Sequence, residues 1–467
     1  MPQIYSLQVG DPEKQVDEAK VTVQRDFEQD GRLRPGAVDA FALKEGDEDR
    51  VDFKDLGWNR AGMIATCEAV ALGTLSFPSN FAKLGLAGGL ICNVLVALIS
   101  WLTSLLMLRH PFVMNVADCG EVLFGKWGAR IFGVGLVAKS IGLASSHILA
   151  GKIAISTFDS GANCSIIWTA VITIGSAVLS YQRHWSGLTY ISIASLTCIV
   201  TACIITMAGA STQDPSTLIK NGIPVKFVAF NTDLTLADGI GAVTNTVFAY
   251  GGTMAVLSFL PEMKRPEAFK KSLAIVQLLQ LVIYSVVGAV LYHYGGQYTP
   301  SPALTMTTHK IAVISYAFAL VTILASGVVA VNVGAKYAYV TLLRDSPLLT
   351  SRGWKAQGTW IGIIAVMYAV GFVIAELVPF FSQLLTIVSC LFSTWFVVGL
   401  GGILYFHLYN PRNTEKHAGW FSSPVRAAMF GLAVFLIVAA ATLMPLGLYA
   451  AARGISSGFH HPFSCAS

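Results

Sequence analysis

Long apolar segments dominate this chain and restrict what it can fold into. A helix that crosses the ~30 Å hydrocarbon core of a membrane needs about 20 apolar residues. Eleven segments meet this requirement, at residues 61–83, 87–108, 129–156, 165–182, 188–208, 238–260, 271–293, 310–335, 358–376, 380–406 and 425–452. The sequence therefore predicts an all-α membrane protein with eleven transmembrane helices, which we number as spans 1 to 11.

The composition excludes most other classes of protein. Charged residues make up 12% of the chain and hydrophobic residues 54%, whereas soluble domains carry about 25% charged residues. Intrinsic disorder and collagen are excluded by the same high apolar content. The eight cysteines lie mostly inside apolar segments and show no CxxC spacing, so neither a disulfide scaffold nor a zinc site is predicted. The bilayer is the expected environment, and no nucleic-acid partner is expected.

Enzymatic and ATP-driven functions lack their usual sequence signals. A membrane enzyme needs a cluster of His, Asp or Cys at one face, and the sequence offers none with suitable spacing. No glycine-rich phosphate loop precedes a GK[ST] motif. We therefore predict that the protein is not an enzyme and uses neither a cofactor nor a metal.

Charge placement predicts the orientation in the membrane. With a cytosolic amino terminus, the connections on the inside hold fifteen Lys and Arg and those on the outside hold six, as the positive-inside rule requires. The first 60 residues hold 14 acidic and 9 basic residues, and we interpret residues 1–57 as an acidic, disordered cytosolic tail. The carboxyl terminus is then extracytosolic, as is the glycosylation sequon Asn163-Cys164-Ser165, which lies very close to a helix end.

Two spans contain helix-breaking residues near the middle of the membrane. In span 1, Gly73 and Pro78 weaken the helix, and Gly73 lies about 20 Å along the helix from Arg60. In span 6, Gly251-Gly252 weakens the helix just after Phe248, which lies about 15 Å along the helix from Asp238. Paired breaks in two halves of a chain indicate the binding site of an inverted-repeat transporter. Free amides at one break suit a carboxylate and free carbonyls at the other suit an ammonium group. The alternative is that these glycines only permit close helix packing.

The residues at both breaks resemble a known family. Gly73-Thr74-Leu75-Ser76-Phe77-Pro78 and Phe248-Ala249-Tyr250-Gly251 resemble the first-helix and sixth-helix signatures of the amino acid/auxin permease family. The segment Ala65-Thr66-Cys67-Glu68-Ala69-Val70-Ala71-Leu72-Gly73 is similar to fungal neutral amino acid permeases of the methyltryptophan-resistance type. In one respect the sequence departs from the family pattern. The second small residue that usually precedes the break is Ala71 here, so the expected unwinding depends on Gly73 alone.

This resemblance, over roughly residues 58–452, implies a fold and a function. The implied fold is leucine-transporter-like, with five plus five inverted spans plus one and with helices 1 and 6 broken. The implied function is proton-driven uptake of neutral amino acids by alternating access. The implied division of the chain is 58–208 for the first repeat, 209–236 for an extracellular loop, 237–407 for the second repeat, 408–452 for a cytosolic loop and helix 11, and 453–467 for an extracytosolic tail.

The candidate substrate-binding residues lie at the two breaks and on span 3. They are Leu72, Gly73, Thr74, Leu75, Ser76, Ser145, Phe248, Ala249, Tyr250, Gly251 and Gly252. Phe248 and Tyr250 are expected to flank the substrate side chain, although core packing is an alternative for both. The absence of a charge close to either break favours a neutral aliphatic or aromatic side chain.

Two ionisable residues lie deep inside predicted spans, where a charge is costly enough to suggest a function. Glu68 and Lys139 are about 12 and 13 Å from the cytosolic ends of spans 1 and 3. We expect them to form a buried pair or to share a hydrogen-bond network. Protonation of Glu68 would then couple proton and substrate movement, unless the pair is a static structural contact. Lys152 is near enough to the outer end of span 3 to reach solvent, and Glu376 lies at a span end where solvation is expected.

Other coupling ions and other functions stay open at this stage. Thr322 and Ser326 lie one turn apart on span 8 and form a candidate sodium site, although membrane hydroxyls more often join helices. The alternatives to a proton symporter are therefore a sodium-coupled carrier and a non-transporting amino acid receptor on the same scaffold. The resemblance favours the plasma membrane, with the vacuolar membrane as the alternative.

Overall fold

The computed structural model describes residues 56–109, 115–181, 185–213, 224–252, 259–260, 263–265, 268–343, 346, 348–349, 353–410, 420–421, 423–456 and 465. The predicted acidic tail lies almost entirely outside these residues. Within them, the regular structure is helical, and the one isolated β-bridge joins Leu56 to Met263. This bridge ties the segment before the first helix to the connection that follows the sixth.

Every predicted span corresponds to a helix in the described part of the chain. The helices are α1 (Trp58–Leu84), α2 (Leu86–Met107), α3 (Val116–Phe158), α4 (Ser165–Leu179), α5 (Trp185–Ser211), α6 (Leu236–Tyr250), α7 (Phe269–Gly295), α8 (His309–Leu343), α9 (Trp354–Leu377), α10 (Phe381–Leu408) and α11 (Pro424–Ser456). Nine of these described helices are long and apolar enough to cross a membrane, while α4 and α6 have 15 residues each. The all-α membrane class is confirmed.

Helix α1 lies at the centre of the molecule. Apart from Met63, its residues from Ala61 to Phe81 are all buried, which is typical of a helix surrounded by protein on every side. Helices α5, α6, α7 and α8 pack around it. Small residues allow this close approach: a Cβ on Gly62 would lie 3.5 Å from the side chain of Ser272 on α7.

The predicted interruption of helix 1 is wrong in this structure, because Trp58–Leu84 forms one continuous α-helix that includes Pro78. Proline removes one amide donor from the helix, yet the helix continues on both sides of Pro78. The hydroxyl of Thr74 donates to the carbonyl of Val70, and that of Ser76 donates to Gly73. These hydroxyls are satisfied within the helix, as Ser and Thr hydroxyls commonly are in membrane helices, and the chain around Pro78 does not unwind.

Helix α3 is longer than predicted and contains a bend. It begins at a capping box in which Asn115 and Asp118 exchange side-chain to backbone hydrogen bonds. Gly125 then takes a positive φ of 67°, a conformation that favours glycine. The predicted span, 129–156, is therefore the second part of a longer helix whose first part follows a sharp turn.

Helix α10 contains a π-helical stretch, Ser389–Gly399, between two α-helical parts. Such stretches are rare and are often found at functional sites. This one packs against α11 and α6. The hydroxyl of Ser389 donates to the carbonyl of Thr244 on α6 over 2.6 Å, so the start of the π-helix is fixed to the helix that carries the predicted second break.

The helices form two packed groups around α1. Helix α2 contacts α6 and α7, which Gln280 joins to each other, while α3, α4, α8 and α9 form the second group. Helix α1 contacts members of both groups, with α7 and α6 on one side and α8 on the other. Helix α1 thus lies between the two groups, next to α6.

Candidate functional site

The candidate site is built around the carboxyl end of α6, which lies where the sequence predicts the second break. The helix ends at Tyr250, and its last carbonyls need partners from outside the helix. The amide of Gly251 donates to the carbonyl of Phe248 over 2.9 Å. The side-chain amide of Gln280 on α7 donates to Ala249 over 3.2 Å. The end of α6 is therefore satisfied by groups on neighbouring helices.

Lys139 supplies the most unusual of these partners. Its Nζ atom donates to the carbonyl of Gly251 over 2.6 Å, and its side chain is only 2% exposed. A lysine ammonium thus occupies the carbonyl acceptor that the sequence analysis assigned to a substrate ammonium group or a cation. The negative end of the α6 dipole also favours a positive charge at this position.

Glu68 approaches the next residue of the same dipeptide. Its side chain is 7% exposed, and a Cβ on Gly252 would lie 2.5 Å from its Oε2 atom. The charges of Glu68 and Lys139 attract each other, but no ion pair within 4 Å joins them among the described residues. The predicted partners therefore converge on Gly251-Gly252 from two helices, without direct contact.

Tyr284 on α7 connects the middle of α1 to the end of α6, and the sequence analysis missed it. Its hydroxyl donates to the carbonyl of Ala69 and lies 3.4 Å from the carbonyl of Ala249. Its ring stacks on Phe77 with centroids 4.5 Å apart. A Cβ on Gly73 would collide with the Tyr284 hydroxyl and lie 2.8 Å from Cζ. Gly73 is therefore required as space for this tyrosine.

The sequence did contain a signal for this contact. Gln277, Gln280 and Tyr284 lie three and four residues apart in an otherwise apolar span, so they share one face of the helix. In the structure this face points towards the protein interior, since all three side chains are buried. Polar residues along one face of an apolar span thus indicate side chains that bind the end of a neighbouring helix.

The two predicted aromatic residues face different surroundings. The hydroxyl of Tyr250 donates to Asn93 of α2 over 2.7 Å, and its ring meets Tyr284 edge-on. Phe248 belongs instead to the hydrophobic cluster that contains Leu72 and Leu75. Residues two apart on a helix point about 200° from each other, so Phe248 and Tyr250 lie on opposite sides of α6.

Ser145 faces away from the break. Its hydroxyl donates to Ile141 within α3, and its backbone nitrogen lies 3.6 Å from the position of a Cβ on Gly371 of α9. Around α3, it is about 120° from Lys139, whereas Ser146 is only about 20° from Lys139. Ser146 therefore shares the face of α3 that carries the lysine.

The candidate cation residues join a network between three helices. Thr322 donates its hydroxyl to the carbonyl of Ser195 on α5 over 2.7 Å. Ser326 donates to the carbonyl of Thr322 and lies 3.5 Å from Nδ1 of His147 on α3. Both hydroxyls thus hold α8 against α3 and α5.

Near the end of α9 lies an ion pair that the sequence analysis did not predict. Glu376 is 2% exposed, so its expected solvation is wrong. Its carboxylate accepts hydrogen bonds from Lys152 over 3.0 Å and from Thr169 over 2.5 Å. These contacts join α9 to α3 and α4, and they remove the carboxylate from solvent.

A disulfide bond joins Cys164, at the start of α4, to Cys465 near the end of the chain. Cys164 is the middle residue of the sequon. The side-chain amide of Asn163 donates to the carboxylate of Asp159 over 3.0 Å. Cys465 therefore lies beside the connection between α3 and α4.

Three kinds of comparison relate this chain to known proteins. A family model described as "transmembrane amino acid transporter protein" matches residues 54–444. The "N amino acid transport system protein" of Neurospora crassa is 32% identical over 438 residues, which cover 90% of this chain and 91% of that protein. A "transmembrane transporter" of Fusarium pseudograminearum is 23% identical over 430 residues, covering 88% of this chain and 89% of the relative.

Among solved structures, the fold is similar to that of Mhp1, a nucleobase-cation-symport-1 family transporter in a closed conformation with bromovinylhydantoin bound. The TM-score is 0.52 at 14% identity, and the match covers 89% of this chain and 96% of that protein. This likeness concerns the fold, and it confirms the expected leucine-transporter-like arrangement.

Proposed function

This chain belongs to the family of transmembrane amino acid transporter proteins, and on that premise we propose that it imports neutral L-amino acids together with protons. The observation that carries the proposal is the contact between Lys139 and the carbonyl of Gly251 at the end of α6. The membrane we propose is the plasma membrane, with the vacuolar membrane as the alternative.

A neutral substrate is supported by the charges at the candidate site. Glu68 and Lys139 are the ionisable residues that approach Gly251-Gly252 in the described structure, and their charges oppose each other. A zwitterion adds no net charge to such a site, whereas a cationic or acidic side chain would add one in a buried region at a high cost. Phe248, Leu72 and Leu75 provide apolar surface for an aliphatic or aromatic side chain.

A proton is supported as the coupling ion because the ammonium group of Lys139 already supplies a positive charge at the site. In a sodium-coupled carrier, free carbonyls at a helix break coordinate the ion. Here the carbonyl of Gly251 accepts a hydrogen bond from the Lys139 ammonium group. Glu68 and Lys139 both exchange protons, so protonation of Glu68 would remove its attraction to Lys139 and change the balance between the two transport states.

A sodium-coupled carrier is the second candidate, and it depends on Thr322 and Ser326. Their oxygens keep lone pairs while the hydroxyl hydrogens bond carbonyls. The third candidate, a receptor without transport, uses the same scaffold and would bind an amino acid without net flux.

The orientation with a cytosolic amino terminus is supported by two independent features. Basic residues are concentrated in the connections assigned to the inside. The disulfide bond between Cys164 and Cys465 joins two segments that this orientation puts on the extracytosolic side, where the redox conditions preserve disulfides.

The decisive experiment is uptake by purified protein in vesicles, with a panel of labelled amino acids and controlled ion gradients. We expect an inward proton gradient to drive accumulation of neutral amino acids, with no requirement for sodium. Accumulation that follows a sodium gradient at constant pH would support the second candidate instead. Binding without accumulation under any gradient would support the receptor.

A further inference from the structure

Two buried oxygen atoms without hydrogen-bond partners lie against the same glycine pair. Oε2 of Glu68 and Oγ of Ser393 have no partner among the described residues. A Cβ on Gly252 would lie 2.5 Å from the first oxygen, and a Cβ on Gly251 would lie 2.6 Å from the second. Glu68 is 7% exposed and Ser393 is fully buried. Buried polar atoms are nearly always paired in native proteins, so this coincidence requires an explanation.

The π-helix of α10 explains how Ser393 reaches this position. Many buried hydroxyls elsewhere in the described structure donate to the carbonyl four residues earlier, as Ser146 and Thr206 do, whereas Ser393 and Thr394 of the π-helix have no hydrogen-bond partner. The wider turn of Ser389–Gly399 changes that register, and the hydroxyl of Ser393 makes no such bond. It is therefore available to a group outside its own helix.

We propose that Ser393 and Glu68 together form the proton-binding site, with the Ser393 hydroxyl as the acceptor for the protonated Glu68 carboxyl. This inference rests on the proposed proton coupling and names its second residue. On this proposal, the protonated carboxyl of Glu68 reaches the Ser393 hydroxyl across Gly251-Gly252 by rotation of its side chain or through a single bridging water. A hydroxyl suits this role because it can donate to a carboxylate and accept from a carboxylic acid.

The charges around Glu68 determine which of its forms needs Ser393. Lys139 on α3 attracts the ionised carboxylate, whereas the neutral acid gains nothing from that charge and needs a hydrogen-bond acceptor. The Tyr284 hydroxyl of α7 and the Cys67 thiol of α1 are the other titratable groups in electrostatic contact with Glu68. Helices α2 and α5 contain no Asp, Glu, Lys or Arg, while α6 contains only Asp238 in its first turn and α8 contains Lys310 and Lys336 near its ends.

The test compares Ser393→Ala with Ser389→Ala in reconstituted vesicles at a fixed membrane potential. Ser389 is a matched control because it is a buried serine of the same π-helix whose hydroxyl bonds Thr244. Uptake of a labelled neutral amino acid is measured against external pH. For Ser393→Ala we expect the pH of half-maximal uptake to move by about one unit towards acid, since the protonated carboxyl loses its acceptor. Ser389→Ala should keep the profile of the unmodified protein.

A pH profile of Ser393→Ala that is unchanged, or that moves towards alkaline pH, overturns the inference. The double variant Glu68→Gln/Ser393→Ala tests whether Ser393 acts through Glu68: it should match Glu68→Gln alone. If Glu68→Gln does not transport, the same comparison uses the pH dependence of thermal stabilisation by the amino acid. If the pH profile of the double variant differs from that of Glu68→Gln, then Ser393 acts independently of Glu68, and this result would also overturn the inference.

Failure of the proposed function has a different signature. If uptake by the unmodified protein does not depend on the proton gradient, then the proposal of proton coupling is itself wrong. If uptake is driven by protons and Ser393→Ala has an unchanged profile, only the role of Ser393 is wrong.

Discussion

The Nζ atom of Lys139 donates to the backbone carbonyl of Gly251 over 2.6 Å, just beyond the end of α6. This contact joins the second packed group of helices, through α3, to the first group, through α6. A movement of one group against the other during transport must therefore stretch or break it. The same ammonium group also balances the nearby charge of Glu68.

Replacement of Lys139 by methionine should abolish transport and destabilise the protein. The variant leaves the Gly251 carbonyl unpaired and Glu68 as an uncompensated buried charge, a change that typically costs about 3–5 kcal/mol. Glu68→Gln/Lys139→Met should recover much of the lost thermal stability, because both charges are then absent, but it should not recover uptake. Lys310→Met serves as the control, since Lys310 is exposed at the start of α8. Equal stability of Lys139→Met and the unmodified protein would contradict this view.

The hydroxyl of Tyr284 should matter for substrate affinity. Tyr284→Phe keeps the ring against Phe77 but removes the hydrogen bond to the carbonyl of Ala69 and the 3.4 Å approach to that of Ala249. We expect KM for the amino acid to rise by about fivefold with Vmax nearly unchanged, as for one lost hydrogen bond of about 1 kcal/mol. Tyr316→Phe is a matched control, because Tyr316 is equally buried and its hydroxyl has no partner among the described residues. A similar change in KM for both variants would rule out a specific role.

Gly73 and Tyr284 should show energetic coupling. Gly73→Ala places a methyl group against the tyrosine hydroxyl, and such overpacking typically costs about 1–3 kcal/mol. Removal of that hydroxyl should reduce the cost by at least about 0.5 kcal/mol, although Cζ and Ala249 Cβ remain within 3.0 Å. A double-mutant cycle on thermal unfolding measures this coupling. Strictly additive effects would mean that Gly73 serves another purpose, such as the unwinding that the sequence analysis expected.

These contacts show why the sequence predicted the spans better than the site. Each span is a local property, because about 20 apolar residues are required wherever a helix crosses the membrane. The glycine pair 251–252 likewise marked the end of α6 directly. The contact of α1 with Tyr284 was hidden because its two partners are distant in sequence. Tyr284 is separated from Ala69 by 215 positions, and it supplies a hydrogen bond that no local pattern in span 1 indicates.

The same limit applies to the ion pair of Lys152 and Glu376. Glu376 lies near a helix end and was therefore expected in solvent, yet it meets Lys152 at a distance of 224 positions in the sequence. The π-helix that contains Ser393 has no recognisable signal in the apolar sequence of span 10. Residues that meet only through helix packing could thus not be predicted from the periodicity and spacing of the sequence.

The disulfide bond between Cys164 and Cys465 should report the orientation of the chain. It closes a loop of 301 positions, and the other cysteines of the described structure are free. In intact cells, a membrane-impermeant maleimide should label both residues only after an impermeant reductant has been added. Cys164→Ser and Cys465→Ser should each leave the partner thiol labelled without reductant, whereas Cys164→Ser/Cys465→Ser should remove the signal. Because the buried Cys67 and Cys203 remain in all of these variants, the double variant also controls for other thiols. Labelling that requires permeabilised cells would place the carboxyl terminus in the cytosol and reverse the proposed orientation.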